Sequence, residues 1–371
     1  MDAFFAACEE RYNPELRGRP IVIGADPKGG RGRGVVSTAN YKAREFGIHS
    51  AMPISQAWRL AEAACRRGAP ATVFLRGNHE LYQEVSDRIM KMLKRSADAF
   101  EQSSIDEAYL ESKFQIDPWR EAERFAKELS RRIFEQEGLT CSVGIGPNKL
   151  VAKIASGFRK PDGLTVVRPG DVHRFLDPLS IRVIPGVGPK SEAFLHARGI
   201  RTIGDLRKLT EAELVEAFSK WGHDLYRKAR GIDDLPVTSE WVTKSIGEQE
   251  TFERDTRSAS FLTDRLYAMA ERVVERVKAA GFKGFRTVTL VVRFHDFETK
   301  SRSRTLAEAV LLSPGRPGRV SPAAGALERL TQEALRLLIP FFDARENPKR
   351  KLIRLIGLRV EKLVSLEVEP R

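Results

Sequence analysis

The feature that most constrains the fold is the order of strand-like and helix-like segments along the chain. Up to about residue 166, short apolar runs at 20–24, 104–110 and 139–145 alternate with helix-like runs. In 81–93, apolar residues recur every four positions, which is typical of a helix with one buried face. Strands that alternate with helices indicate an α/β or α+β core.

The pattern changes twice in the rest of the chain. From residue 177 to about 235, glycines punctuate short helical runs, as in Pro185-Gly-Val-Gly-Pro189. A polar stretch at 236–244 then has the composition of a linker. Beyond it, 245–360 reads as strand, helix, strand, strand, helix and strand, which predicts a split βαβ, ferredoxin-like module.

Charge points to a polyanionic partner. The 371 residues are 42% hydrophobic, enough for several compact cores, and they carry a net charge of +13. Residues 241–371 hold 25 Lys and Arg against 17 Asp and Glu, a net +8. The polyanion is therefore expected at the last module.

Cysteine usage and hydropathy predict a cytoplasmic protein that does not bind a membrane. The three cysteines, Cys8, Cys65 and Cys141, are far apart and form no CxxC motif. That spacing argues against a disulfide scaffold and a thiolate zinc site. No apolar run is long enough to span a bilayer, and the first residues lack a signal-peptide pattern.

Two adjacent carboxylates, Asp106 and Glu107, are the first candidates for chemistry. Magnesium ions prefer carboxylate oxygens and leave coordination positions open for substrate phosphates. Neighbouring side chains of a regular strand point to opposite faces, so both could serve one site only at a hairpin tip or bend. Taken alone, the pair is more typical of an exposed turn.

Seven motifs, in chain order, resemble those of the Y-family DNA polymerases, the translesion class. The resemblance spans residues 1 to about 362. The motifs are the opening Met-Asp-Ala-Phe-Phe of 1–10, a finger motif at 37–47, palm motifs at 104–109 and at 148–155 with 160–163, a thumb helix-hairpin-helix at 184–188, and little-finger motifs at 244–248 and 302–305. The resemblance implies template-directed, low-fidelity DNA synthesis across damaged templates.

It also implies the fold: an α+β multidomain right hand with a ferredoxin-like palm, small fingers, a helical thumb with a helix-hairpin-helix, and a βαββαβ little finger. The implied state is a monomer. The implied boundaries are 1–10 and 71–165 for the palm, 11–70 for the fingers, 166–236 for the thumb, 237–243 for a linker, 244–362 for the little finger and 363–371 for a tail.

The resemblance assigns the reaction to Asp106 and Glu107. Asp106 would ligate both of two Mg²⁺ ions, and Glu107 would bind the ion nearer the primer terminus or help to activate the primer hydroxyl. The ions would stabilise the attacking and leaving oxygens of nucleotidyl transfer. Phe5 would be the steric gate against a 2′-hydroxyl, although without the motif it would read as an ordinary core phenylalanine.

Substrate contacts are implied in the same way. Deoxynucleoside triphosphates would contact Phe4, Phe5, Tyr41, Arg44 and Lys160, since arginine and lysine suit phosphate oxygens. Primer-template DNA would contact Lys149, Lys153, Gly186, Gly188, Lys190, Arg302 and Arg304. Solvated surface charges, and a tight interhelical turn at 185–189, are the alternative interpretations. Backbone contacts of this sort predict salt-dependent affinity without sequence preference.

One departure from the family pattern concerns the amino terminus. The family motif is Asp-Met-Asp-Ala-Phe-Phe, with its first Asp a metal ligand, whereas this chain as written begins at the Met. We expect the natural start to lie upstream. The alternative is a catalytically impaired paralogue that acts as a DNA-binding scaffold. Residues 362–366 match a sliding-clamp-binding peptide poorly, so clamp recruitment depends on the family alone.

Overall fold

The computed structural model describes residues 1–240, 242–312 and 322–365. The predicted clamp segment and tail lie partly outside these ranges, as do Trp241 of the predicted linker and residues 313–321 of the predicted little finger. The chain divides into two units, Met1–Glu240 and Trp241–Arg371.

The first unit contains eleven helices and seven strands among its described residues. Its helices are α1 (Phe4–Tyr12), α2 (Tyr41–Arg44), α3 (Ile54–Arg66), α4 (His79–Lys94), α5 (Pro118–Glu137), α6 (Lys149–Phe158), α7 (Val172–Leu176), α8 (Pro189–His196), α9 (Ile203–Arg207), α10 (Glu211–Phe218) and α11 (Lys220–Ala229). Its strands are β1 (Ile21–Gly24), β2 (Val36–Ala39), β3 (Val73–Leu75), β4 (Ala99–Gln102), β5 (Ala108–Glu111), β6 (Val143–Ile145) and β7 (Leu164–Val166). Short 3₁₀ turns lie at Pro14–Leu16, Lys28–Gly30, Pro169–Asp171 and Ile181–Val183.

Strand β1 separates two hydrophobic clusters. It pairs with β2 on one side and β3 on the other. Because successive side chains of a strand point to opposite faces, Ile21 and Ile23 pack with α1 and α4, whereas Val22 packs with α3. Leu16, Ile21 and Ile23 of the predicted fingers thus share a cluster with side chains of α1 and α4, and the domain limits stay a prediction.

The segment that carries the paired carboxylates is a β4–β5 hairpin between α4 and α5. Strands β6 and β7 form a separate parallel pair joined through α6. Helix α6 approaches β6 closely: a Cβ on Gly144 would lie 2.1 Å from the Ala152 carbonyl oxygen. The predicted strand at 139–145 is shorter than expected and begins at Val143.

Helices α7 to α11 pack around their own cluster, as the glycine-punctuated pattern predicts. The buried face of α6 joins this cluster through Leu150, Val151 and Ile154. Sequence motifs assign α6 to the palm, but its apolar side chains also support the helical segment that follows.

The second unit has the predicted order of elements: β8 (Ser245–Thr256), α12 (Ala259–Ala279), β9 (Gly284–Phe294), β10 (Thr299–Leu311), α13 (Pro322–Leu338) and β11 (Ile353–Glu361), with a 3₁₀ turn at Ile339–Phe342. Its four strands are ordered β10-β9-β11-β8 and all neighbours are antiparallel. Both helices pack on the sheet, so the βαββαβ prediction is confirmed.

Of the helices within the described ranges, none combines the length and the apolar character that crossing a bilayer requires.

Candidate active site

The two carboxylates lie in the bend that connects β4 to β5. The backbone N–H groups of Ser103 and Ser104 both donate to the Glu107 carbonyl, at 2.9 and 3.2 Å, and so close the bend. The Ser104 hydroxyl donates to Asp106 Oδ1 at 2.8 Å. At a bend, adjacent side chains need not alternate between faces, so the condition for one shared site is met.

Glu107 is paired with a lysine of α6. Lys153 Nζ donates to Glu107 Oε1, and each side chain is a little over one third exposed. Burial alone raises the pKa of Glu107, but the hydrogen bond from Lys153 and the charges of Lys153 and Lys160 outweigh it. The net pKa of Glu107 is therefore below its ordinary value, and the carboxylate is ionised at neutral pH.

A cavity of about 420 Å³ brings these groups together. Its wall includes Asp106, Glu107, Lys153 and Lys160. The described residues contain no cluster of three or more His, Cys, Asp or Glu side chains that could hold a metal by themselves. Magnesium commonly binds through one or two carboxylates together with substrate phosphates, and Asp106 with Glu107 fits that kind of site.

The Phe5 ring packs against two other aromatic side chains. Its ring stacks on Tyr82 with centroids 4.5 Å apart and planes 12° apart, and it meets His79 edge-on at 5.9 Å. Phe5 is half-buried, whereas Phe4 is 3% exposed and packs in the core. Phe4 can therefore face a nucleotide only through its backbone.

Tyr41 and Arg44 lie on the short helix α2, which Asn40 caps by accepting from the Ala43 N–H. The Arg44 guanidinium lies over the Tyr41 ring, 4.6 Å from its centroid, and its Nε donates to the Ala39 carbonyl. The Tyr41 hydroxyl is buried, and no described residue accepts its proton. Since buried hydroxyls are normally paired, this one is available to a bound group.

Lys160 is exposed in the loop between α6 and β7. The N–H of Asp162 in this loop donates to Asp2 Oδ2 at 2.9 Å. Asp2 is only 3% exposed, so a buried carboxylate is hydrogen-bonded to the loop that carries Lys160. Sequence reasoning gave Asp2 no role; a charged residue within an otherwise apolar segment was the available signal.

Lys149 and Lys153 share one face of α6 but contact different carboxylates. Lys149 Nζ lies 2.8 Å from Glu101 Oε2, and its side chain is only 14% exposed. The same Glu101 oxygen accepts from the Thr238 N–H at 3.1 Å. Lys149 is thus engaged in holding the segment after α11, a contact that sequence reasoning missed.

The predicted hairpin at 185–189 joins a 3₁₀ turn to α8. Gly186 has φ 100°, in the region that favours glycine, and Gly188 is the N-cap of α8. Lys190 is exposed in the first turn of that helix. Backbone N–H groups at such a helix start suit a phosphate.

Arg302 and Arg304 belong to the second unit, where they lie two apart on edge strand β10 and are both exposed. Arg302 pairs with Glu346, and Arg304 Nε lies 3.4 Å from Glu333 Oε2. Glu333 is fully buried, and it also pairs with Arg329 and Arg336. This group of three arginines around one carboxylate was not foreseen from sequence.

Family models match most of the chain. Residues 1–157 match the impB/mucB/samB family, and residues 243–370 match the C-terminal domain of the same family. Residues 182–233 match a thumb domain described for DNA polymerase iota. The three matches cover both units and leave short gaps around residues 158–181 and 234–242.

Several proteins named DNA polymerase IV are similar to this chain in sequence over most of its length. The chain is 46% identical to DNA polymerase IV 2 of Methanosarcina mazei, over 83% of this chain and 81% of that one. It is 42% identical to DNA polymerase IV of Methanoculleus marisnigri, over 98% and 92% of the two chains. DNA polymerase IV of Streptococcus mutans is 45% identical over 82% of this chain and 80% of its own.

Solved structures are similar over 98% of both chains in each case. A Y-family DNA polymerase chimera of Dbh and Dpo4 superposes with a TM-score of 0.79 at 27% identity. DinB from Sulfolobus solfataricus superposes with a TM-score of 0.61 at 27% identity. An insertion ternary complex of Dbh DNA polymerase also gives a TM-score of 0.61 at 27% identity. Sequence, motifs and fold thus agree, and the chain belongs to the impB/mucB/samB family, the Y family of DNA polymerases.

Proposed function

We propose that this protein extends the 3′ end of a DNA primer in template order and does so across damaged templates with low fidelity. The observation that carries the proposal is the cavity wall, where adjacent carboxylates on the β4–β5 bend face two lysines. Acidic groups that bind metal and basic groups that bind phosphate are the two requirements of nucleotidyl transfer. Its substrates are primer-template DNA and deoxynucleoside triphosphates.

Each candidate residue has a role that its surroundings support. Asp106 and Glu107 hold metal, and Lys153 keeps Glu107 ionised. Lys160, Arg44 and Tyr41 bind the triphosphate, and the Tyr41 hydroxyl, whose proton no described residue accepts, donates to it. Phe5, backed by Tyr82, excludes a 2′-hydroxyl from the sugar site.

Y-family polymerases depend on divalent metal ions. We propose magnesium, held by Asp106 and Glu107 together with substrate phosphates. When bound, it stabilises negative charge on the attacking and leaving oxygens. This chain's own part is to orient the carboxylates, through the Ser104 hydroxyl and the closed bend, and to keep the primer and nucleotide aligned.

The domain limits stated from sequence are proposed as the working division into palm, fingers, thumb, linker and little finger. DNA backbone contacts are proposed for the 185–189 hairpin with Lys190 and for Arg302 and Arg304. Lys149 and Lys153 pair with Glu101 and Glu107, and Arg302 and Arg304 pair with Glu346 and Glu333, so a phosphate would have to compete with a carboxylate at all four residues.

Primer extension with Mg²⁺ tests the proposal. Because the Met1 amino nitrogen lies 2.7 Å from the Asp106 carbonyl oxygen, a residue added before Met1 would lie beside Asp106. Two forms should be assayed: the chain from Met1, and a form whose amino-terminal extension places an aspartate directly before Met1. We expect the extended form to elongate a primer, and Asp106→Ala in it to reduce the rate by at least about 10²-fold.

The control is Ser104→Ala, which removes only the hydroxyl that orients Asp106, and we expect a smaller loss. No elongation by the extended form would refute the proposed polymerase activity. The catalytically impaired alternative gains no support from the comparisons. A monomeric state, a cytoplasmic location and binding to a sliding clamp stay predictions.

A further inference from the structure

Asp2 is a buried carboxylate whose two oxygens are both used. The Ser142 hydroxyl donates to Oδ1 at 2.8 Å, and the Asp162 N–H donates to Oδ2 at 2.9 Å. The Asp2 N–H donates in turn to the Thr140 carbonyl at 3.2 Å. At 3% exposure, Asp2 depends on these donors because water cannot replace them.

Both hydrogen-bond donors connect Asp2 to the loop that carries Lys160. Asp162 is two residues beyond Lys160, and the Gly163 N–H donates to the Ser142 hydroxyl oxygen at 3.4 Å. The loop is tight, since a Cβ on Gly163 would lie 2.0 Å from the Arg159 carbonyl oxygen. Asp2 therefore ties the amino-terminal segment to the backbone N–H groups of Asp162 and Gly163, one directly and one through Ser142.

A carboxylate holds this loop more strongly than an amide of the same shape would, for a chemical reason. Asp2 meets two donors with two acceptor oxygens, whereas an asparagine side chain offers one oxygen and one NH₂ group. An asparagine could direct its oxygen to the Asp162 N–H and its NH₂ group to the Ser142 oxygen, provided that the Ser142 hydroxyl turns to accept. Both bonds would then be neutral, and charge-assisted hydrogen bonds are about twice as strong as neutral ones.

The backbone next to Asp2 has an unfavourable conformation that its surroundings must stabilise. Ala3 has φ 44° and ψ 43°, a left-handed conformation that alanine disfavours. Such conformations persist where surrounding contacts over-determine them, and they gather at functional sites. Here Asp2 is anchored on one side of Ala3 and the buried Phe4 on the other.

Asp2 also lies close enough to Tyr41 for its charge to act on it. Burial raises the pKa of Tyr41, and the negative charge of Asp2 raises it further. The Asp2 carboxylate thus acts on two of the groups assigned to the triphosphate. It is hydrogen-bonded to the Lys160 loop, and its negative charge acts on Tyr41.

We propose that Asp2 is a positioning residue that holds the Lys160 loop in place and thereby sets the affinity for the triphosphate of the incoming nucleotide. It touches neither substrate nor metal. The inference rests on the proposed function in one respect, the contact between Lys160 and the triphosphate.

Amide hydrogen exchange of the full chain gives a test that needs no activity. We expect Asp2→Asn to accelerate exchange at Asp162 and Gly163 by about tenfold or more, because the charge-assisted hydrogen bonds that hold the loop become weaker neutral ones. Ser142→Ala should accelerate the same two amides and serves as a second variant if Asp2→Asn folds poorly. Glu84→Gln, an exposed carboxylate change on α4, is the matched control and should leave both amides unchanged.

Nucleotide affinity gives the second test. The dissociation constant for dATP should be measured with Mg²⁺ on a dideoxy-terminated primer-template, so that no chemistry intervenes. We expect Asp2→Asn to weaken dATP about tenfold, and to add little once Lys160→Ala is present, since both changes remove one interaction. The affinity for primer-template itself should stay unchanged.

The possible results distinguish the role of Asp2 in holding the loop from the role of Lys160 in binding the triphosphate. Unchanged exchange at Asp162 and Gly163 in Asp2→Asn overturns the inference. An undiminished Asp2→Asn effect in the Lys160→Ala background overturns it too, because Asp2 would then act elsewhere. Unchanged dATP affinity in Lys160→Ala, with faster exchange in Asp2→Asn, overturns the triphosphate role of Lys160 while Asp2 remains the residue that holds the loop.

Discussion

At the scale of single residues, the site depends on which lysine meets which carboxylate. Lys153 pairs with Glu107, and Lys149, one turn earlier on α6, pairs with Glu101. The two lysines have the same spacing and helix face, but only Lys153 sets the charge of a candidate metal ligand. This difference provides a matched pair of variants.

We predict that Lys153→Gln shifts the acid limb of activity to higher pH. Glu107 must be ionised to hold metal, and its pKa is below the ordinary 4.5 because Lys153 outweighs the effect of burial. Without Lys153, burial remains and the pKa rises, so activity is lost earlier as pH falls. Extension rates in the active, extended form from pH 5 to 8 measure this effect. Lys149→Gln is the control, and equal acid limbs in the two variants would contradict the prediction.

We predict that Phe5→Ala admits ribonucleotides and lowers stability by about 2 kcal/mol, since a half-buried ring stacked on Tyr82 is removed. The ratio of ribonucleotide to deoxynucleotide incorporation tests the first part, and thermal unfolding tests the second. Tyr82→Phe keeps the supporting ring and removes only the hydroxyl that donates to Glu9 at 2.6 Å. That control should lose stability without admitting ribonucleotides; if it admits them as readily as Phe5→Ala, the gate is not Phe5.

At the scale of elements, the start of α6 fastens the chain that follows α11. The Asn148 side chain donates to the Gly231 carbonyl at 2.8 Å, and the Leu150 N–H donates to Asp233 at 3.1 Å. Glu101 accepts from Lys149 and from the Thr238 N–H. The polar stretch that composition marks as a linker is thus held on the first unit up to about residue 238.

We predict that Glu101→Gln loosens residues 232–240 without unfolding the unit, because the ion pair with Lys149 is lost. Proteolysis and amide exchange at Thr238 measure the effect, and Glu240→Gln, an exposed change in the same stretch, is the control. Burial raises the pKa of Glu101, but Lys149 and the Thr238 N–H lower it by more. Lowering the pH below 4.5, towards the folded-state pKa of Glu101, should therefore loosen the segment as the variant does. Unchanged exchange protection at Thr238, both in the variant and at low pH, would contradict the proposed role of Glu101.

At the scale of the whole molecule, the chain has two units: among the described residues, three hydrophobic clusters lie in the first and one in the second. We predict two calorimetric unfolding transitions for the full chain. Phe341→Ala, a change in the core of the second unit, should lower only one of them. A single cooperative transition that shifts as a whole would show that the units unfold together.

The charge of the whole molecule predicts how it binds DNA. With a net +13, affinity for a primer-template should fall steeply with salt. Arg302→Ala and Arg304→Ala should each reduce the slope of log K against log salt by about 1. Arg345→Ala, which breaks the exposed pair of Arg345 with Asp343, is the control for the loss of one arginine charge. Equal slopes in all three variants would show that Arg302 and Arg304 do not contact the DNA backbone.

The amino-acid sequence by itself determined the order of elements, the family and the excess of positive charge. Periodicity, turn residues and motifs are local properties, so the βαββαβ order of the second unit and the helical segment around 177–235 were predictable. The carboxylates at 106–107 were found in the same way, from a short motif.

Only the tertiary structure decided which distant groups meet. Ser142 and Asp162 reach Asp2 across 140 and 160 residues, and Glu101 and Glu107 lie 48 and 46 residues from their lysines. No local sequence pattern distinguishes Lys149 from Lys153, because the two lie four residues apart on the same face of α6. Their roles differ because the closed β4–β5 hairpin presents a different carboxylate to each turn of α6.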